Sequence, residues 1–285
     1  MFPTPYLEII AIFTEIVGRL SPAVIKGIDA DVNTMILIEM LVSITIAFLI
    51  LSPNDYKTIT KISYSNLLHS FLLGGLSFFT AKLNYFAYKE LPVAISMLVR
   101  CLFPVFLVII YFFAGFEQPL EYAPFFIGFF VLMVYILKPK PHHVEKFKNL
   151  EDNKKIDKYK AVAALSLSAL LGCIGHTLKK IGIDSHETHI IRTKIFALLL
   201  SMSFFIINSK LPEMRTDVWV KLIIYYILLG SVISKIRSIT FFSVPEIYYA
   251  IFIFIGTTVS YLISEYIPTL VKSDPVDFKL KEKNR

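Results

Sequence analysis

Cysteine is nearly absent from this chain: two residues in 285, Cys101 and Cys173. Both fall inside long apolar runs, which excludes a framework of disulfides between exposed loops and leaves two small buried apolar side chains. Charge is scarce as well. Asp, Glu, Lys and Arg make up 18% of the residues, against about a quarter in soluble domains. Chemical signatures are missing too. There is no P-loop, no glycine-rich nucleotide fingerprint, no nucleophile elbow and no His-Glu-x-x-His, which argues against an enzyme and against a pump or protease of known type. No cofactor is expected. The pairs His142-His143 and His186/His189 lack the further ligands a metal site needs, so none is assigned. The start, Met1-Phe2-Pro3-Thr4-Pro5, has no positive region of the kind that opens a cleavable signal, and the first apolar run reads as a retained span.

What the sequence has is hydrophobic length. The apolar residues amount to 55%, and they gather into nine runs, roughly 6–26, 34–52, 66–87, 92–114, 121–137, 160–180, 189–208, 217–236 and 245–266. Most reach the roughly 20 residues that a helix needs to cross a bilayer. Inside lipid, a helix satisfies its own backbone hydrogen bonds, whereas an isolated strand does not. The expected fold is therefore an all-α, polytopic membrane bundle of about nine transmembrane helices. Proline punctuates it, with Pro53 closing the second run and Pro92 and Pro245 opening the fourth and ninth.

Positive charge collects in two places. Lys138, Lys140, Lys146, Lys148, Lys154, Lys155, Lys158 and Lys160 form a polar linker, and the tail beyond 268 is basic as well. The net charge of +7 suits anionic headgroups, and no aromatic-basic pattern suggests nucleic acid. With nine spans, linker and tail share one side. The positive-inside rule makes that side cytoplasmic and puts the N-terminus outside.

The linker divides the chain into a first repeat at 1–138, a linker at 139–159, a second repeat at 160–268 and a tail at 269–285. The halves correspond weakly but in order. Gly18, Lys26, Gly27, Ile28 and Asp29 align with Gly172, Lys180, Gly182, Ile183 and Asp184, allowing one insertion. Phe86-Ala87-Tyr88-Lys89-Glu90-Leu91-Pro92 faces Ile239-Thr240-Phe241-Phe242-Ser243-Val244-Pro245, and Phe116-Glu117-Gln118-Pro119 faces Ser264-Glu265-Tyr266-Ile267-Pro268. A duplicated unit follows.

At these residues the chain resembles the drug/metabolite transporter superfamily, especially its EamA-type members. The resemblance rests on the small-residue stretch 18–26 ending in lysine, on Tyr85-Phe86-Ala87-Tyr88-Lys89-Glu90-Leu91-Pro92-Val93-Ala94, on Pro104-Val105-Phe106 and on Glu117. It implies two five-helix halves of inverted topology and a cytoplasmic N-terminus, opposite to the charge rule. Three features depart from the pattern. Glu39 stands where a basic residue is common, although the second half has Arg192. The second unit lacks its tenth helix, a 5+4 arrangement. Arg100, four residues before Pro104, is more like the sugar-phosphate and nucleotide-sugar branch.

Charges at membrane depth are costly, and those that persist face a wet cavity or a partner. Glu15 and Arg19 are spaced i,i+4 and can pair. Lys82 lies midway along its run with Tyr85 on the same face, and Arg100 offers a fork suited to carboxylate or phosphate. The expected solute contacts are Lys82, Tyr85, Arg100, Glu15 and His176. Lys26, Lys89 and Lys179 stand nearer helix ends and are expected to reach the headgroups. The expected function is secondary transport of a small polar metabolite, anionic or zwitterionic. The expected partners are that solute and the lipid bilayer, with no nucleic acid and a homodimer left open. The alternative is a carrier-derived scaffold or regulator without transport activity.

Overall fold

The computed structural model describes residues 4–28, 30–50, 63–115, 127–128, 131, 134–135, 152–181, 186–208, 216–233, 236 and 246–266. Every regular element among them is helical: α1 Thr4–Arg19, α2 Ser21–Lys26, α3 Val32–Ile50, α4 Tyr64–Glu90, α5 Val93–Arg100, α6 Leu102–Phe113, α7 Asp152–Ile181, α8 His186–Asn208, α9 Thr216–Tyr225 with a π-helical continuation Tyr226–Ile233, and α10 Glu246–Tyr266. Three stretches, Val32–Leu49, Ile95–Phe113 and Ile156–Lys179, are long and apolar enough to cross a membrane. Large apolar side chains also face outward, among them Phe71, Phe79, Phe113, Ile206 and Ile224. The chain is a helical bundle of membrane type. The predicted run 121–137 falls almost wholly outside the described residues, as does the tail.

Two predicted spans are not continuous. The first breaks at Leu20 between α1 and α2, and the fourth breaks at Cys101 between α5 and α6. Proline accounts for both. It has no N–H for the carbonyl four residues back, and its ring crowds that carbonyl. For Pro22 the orphaned carbonyl is Gly18, and the Ser21 hydroxyl donates to it at 2.6 Å. For Pro104 the carbonyl is that of Arg100, and the chain tightens there, with the Cys101 N–H reaching back to Leu98 O at 3.0 Å. The eighth predicted span holds a different irregularity, the π-helical segment after Tyr225. The sixth starts earlier than predicted, at Asp152 rather than 160. Lysine is a good helix former and Asp157 pairs with Lys160 at 3.3 Å, so the basic stretch can extend the helix into water instead of ending it.

Helix starts follow their caps. The Asp31 carboxylate accepts from Asn33 N and Thr34 N at 2.9 and 3.1 Å and from the Thr34 hydroxyl, closing the start of α3. Ser63 Oγ accepts from Asn66 N at 3.2 Å at the start of α4. Lys26 and Lys89 correct an expectation. Instead of reaching outward, they cross-link two turns: Lys26 Nζ donates to Leu91 O at 3.0 Å, and Lys89 Nζ donates to Ile28 O. Carbonyls at helix ends lack intrahelical donors, and a nearby ammonium satisfies them better than distant water.

Packing is closest where side chains are smallest. A Cβ on Gly256 would lie 2.6 Å from Glu15 Cβ, and one on Gly74 would lie 2.6 Å from Phe196 Cβ. These glycines let α10 meet α1 and α4 meet α8 backbone to backbone, as small residues do at helix crossings in lipid. The Ser260 hydroxyl, one turn beyond Gly256, sits 2.6 Å from Ile16 O. Across the bundle, α1 packs on α10, α7 on α5 and α6, α3 on α9 and its π-helical continuation, and α8 on α4. The pairs α3–α8 and α10–α5/α6 also touch, and the broadest contact is α7 on α4. There Ser168 Oγ donates to Asn84 Oδ1 at 2.7 Å. The main core lies among α2, α3, α4 and α8, with Met35, Ile36, Phe78 and Leu91 fully buried.

Candidate functional site

The three helix irregularities supply the polar side chains of one region. Arg19 ends α1, Arg100 ends α5, and Tyr225 and Tyr226 straddle the passage from α9 to the π-helical segment. A cation in the last turn of a helix complements the negative end of its dipole. π-helical segments recur at functional positions because they re-aim side chains within a span.

Around Arg19, Glu15 accepts from Nε at 3.2 Å, and both residues are buried, Glu15 at 0% and Arg19 at 5% exposure. The i,i+4 pairing expected from the sequence is present. The Arg19 guanidinium also lies 5.6 Å from the centre of the Phe103 ring, and the His176 ring meets the same phenyl edge-on at 5.4 Å. Phe103 thus sits between a guanidinium and an imidazole, at the point where α6 begins. Cys173, one turn before His176, donates from Sγ to Phe103 O at 3.1 Å. Both cysteines are buried free thiols, as the sequence suggested.

A second group forms across α3, α4, α5 and α9. Tyr85 Oη donates to Glu39 Oε2 at 2.6 Å. The Tyr85 and Tyr226 rings are 6.4 Å apart, and Tyr225 meets Tyr226 edge-on at 5.0 Å. The Arg100 guanidinium lies 5.5 Å from the centre of the Tyr88 ring. All four tyrosines are buried, while Glu39 and Arg100 are half-buried. Tyr225 stands within electrostatic reach of Glu39, Tyr88 and Arg100, an acid and a base among them. Cys101 links the two groups, being near both Arg19 and Arg100.

Of the expected solute contacts, Tyr85 and Arg100 belong to the second group and Glu15 and His176 to the first. Lys82 goes elsewhere. Its ammonium lies 4.1 Å from the centre of the Phe204 ring of α8 and 6.0 Å from that of Phe78, a cation–π arrangement that compensates for lost hydration. Glu39, which stands where the resemblance would place a basic residue, accepts from Tyr85. Tyr225 and Tyr226 were not anticipated. Their only trace in the sequence is a tyrosine doublet in an apolar run, a feature shared by Tyr248-Tyr249, whose side chains lie outside the described residues.

No family model matches the chain, and no curated protein matches its sequence. The functional reading therefore rests on the site's own chemistry and on the motifs above.

Proposed function

We propose that the chain is a secondary transporter of small polar metabolites, of the drug/metabolite transporter kind, built from nine membrane spans in two related halves. The observation that carries this reading is the meeting of broken helices at charged side chains. Carriers build their sites from discontinuous helices, because the freed backbone and the enclosed charges need a protein-lined, wet environment. Arg19, Arg100 and the Tyr225–Tyr226 doublet all stand at such breaks.

The pattern of helix contacts supports a duplicated unit. Counted within each half, the first span (α1–α2, and α7) packs on the fourth of the other half (α10, and α5–α6). The second span (α3, and α8) packs on the third of the other half (α9 with its continuation, and α4). The two second spans touch each other, and so do the two fourth spans. Exchanging the halves leaves this scheme unchanged, as a pseudo-two-fold arrangement requires. The broad contact of α7 on α4 has a smaller counterpart in α1 against the π-helical segment.

In this reading the solute sits between the halves, bounded by Arg100 and Glu39, and access alternates as the halves rock. Arg100 with its planar fork binds the anionic end. Lys82 reaches the solute only by leaving Phe204, so it acts at an outer position. Reconstituted protein tests the proposal. Arg100→Ala should abolish uptake of the transported solute, and Lys82→Ala should lower it. If both variants transport at the wild-type rate, these residues are not the site. If folded wild-type protein moves no solute at all, the scaffold reading replaces the carrier.

A further inference from the structure

Glu39 has unusual surroundings for a carboxylate in an apolar helix. Tyr85 comes from α4, Tyr225 from the end of α9, and Tyr226 from the π-helical segment, with exposures of 6%, 9% and 1%, and all three stand within electrostatic reach of it. Tyr85 donates to the carboxylate at 2.6 Å. The Tyr226 side chain packs beside that of Tyr85 with its hydroxyl buried. Among the described residues no lysine or arginine forms an ion pair with Glu39. Glu15, fully buried, has Arg19. One acid is thus neutralised by the protein, and the other is surrounded by aromatic rings.

A carboxylate near several π-systems, with no ion-paired cation among the described residues, suits a cation supplied from outside. Ring faces carry negative potential, and an ammonium or alkylammonium group is attracted to them strongly when desolvated. The half-buried exposure of Glu39 leaves it open to such a group. Arg100, over Tyr88, is also within electrostatic reach of Tyr225 and has the opposite sign. A single small solute with a positive nitrogen and an acidic group would satisfy both ends.

We propose that Glu39, Tyr85, Tyr225 and Tyr226 form the subsite for the cationic nitrogen of a zwitterionic solute whose anionic group is held by Arg100. This rests on the carrier reading and narrows its substrate class from anionic or zwitterionic to zwitterionic.

Binding, measured apart from transport, tests it. The full chain is purified in detergent and titrated calorimetrically with trimethylglycine, tetramethylammonium and acetate. Wild type should bind trimethylglycine saturably and tetramethylammonium more weakly, with acetate weakest. Glu39→Gln, which preserves shape and an acceptor for Tyr85, should weaken both ammonium ligands at least tenfold. Arg100→Gln should weaken trimethylglycine similarly and spare tetramethylammonium. Tyr85→Phe keeps the ring and should lose no more than a few-fold. The subsite is overturned if Glu39→Gln binds like wild type, if acetate alone binds, or if none of the three probes binds. The same probes in proteoliposomes separate the two claims. Saturable binding that needs Glu39, without uptake, upholds the subsite and removes the carrier. Uptake of a solute that is indifferent to Glu39→Gln upholds the carrier and removes the subsite.

Discussion

Replacing Gly256 with alanine forces α1 and α10 apart, and the cost can be worked out from the crossing. The new Cβ would lie 2.6 Å from Glu15 Cβ and 2.8 Å from its carbonyl carbon. Non-bonded carbons rest at about 3.5–4.0 Å, so the helices must separate by about 1 Å. The atoms nearest that Cβ are the root of Glu15 and the backbone of α1, not the flexible end of a side chain. Ser260 Oγ, now 2.6 Å from Ile16 O, would then lie beyond hydrogen-bonding distance of it and keep only Gly256 O of its own helix, also at 2.6 Å, a loss of up to about 1 kcal/mol. Overpacking adds about 1–3 kcal/mol, and the better helix propensity of alanine returns up to about 1. The net loss is about 1–3 kcal/mol, a fall in melting midpoint of roughly 3–9 °C. Purified Gly256→Ala and Gly175→Ala, melted side by side in the same detergent, make the comparison. A Cβ on Gly175 meets nothing within 4 Å, so that variant should melt at or above the wild-type midpoint. If Gly256→Ala also melts at or above wild type, α1 and α10 do not cross as described.

Other consequences follow from single contacts. Arg19→Met removes the guanidinium from buried Glu15 and should cost about 3–5 kcal/mol, while Glu15→Leu with Arg19→Met should cost less than the single change; melting of both variants beside Glu15→Leu alone gives the coupling. Ser168→Ala removes the donor to Asn84 Oδ1 and should lower stability by about 1–2 kcal/mol, whereas Ser203→Ala, which loses only a bond to the exposed backbone of its own helix, should change little. Phe204→Leu takes away the ring under Lys82, so modification of Lys82 by an amine-reactive reagent should speed up several-fold, read by peptide mass spectrometry.

The helices were legible because bilayer-length apolar runs bounded by proline leave the backbone few alternatives. Even the breaks at Leu20 and Cys101 were encoded locally, by Pro22 and Pro104, although a span predicted from hydrophobic length alone runs straight through them. The Glu15–Arg19 pair was legible for a similar reason, since its spacing within one helix decides it. The tyrosine group around Glu39 was not. Its members come from α3, α4 and α9, and which face each helix turns to its neighbours is set by packing such as Gly74 against α8. Lys82 illustrates the limit. Its depth was evident from its place in the span, but only the assembled bundle puts Phe204 beneath its ammonium.

Uptake by reconstituted protein tests the central claim most directly. Proteoliposomes containing the full chain, and protein-free liposomes, are exposed to a metabolite mixture, and their contents are compared by mass spectrometry. The account predicts protein-dependent accumulation of one or a few small zwitterionic solutes, lost in Arg100→Ala. Identical contents in the two preparations, from protein that is folded and monodisperse, would contradict it.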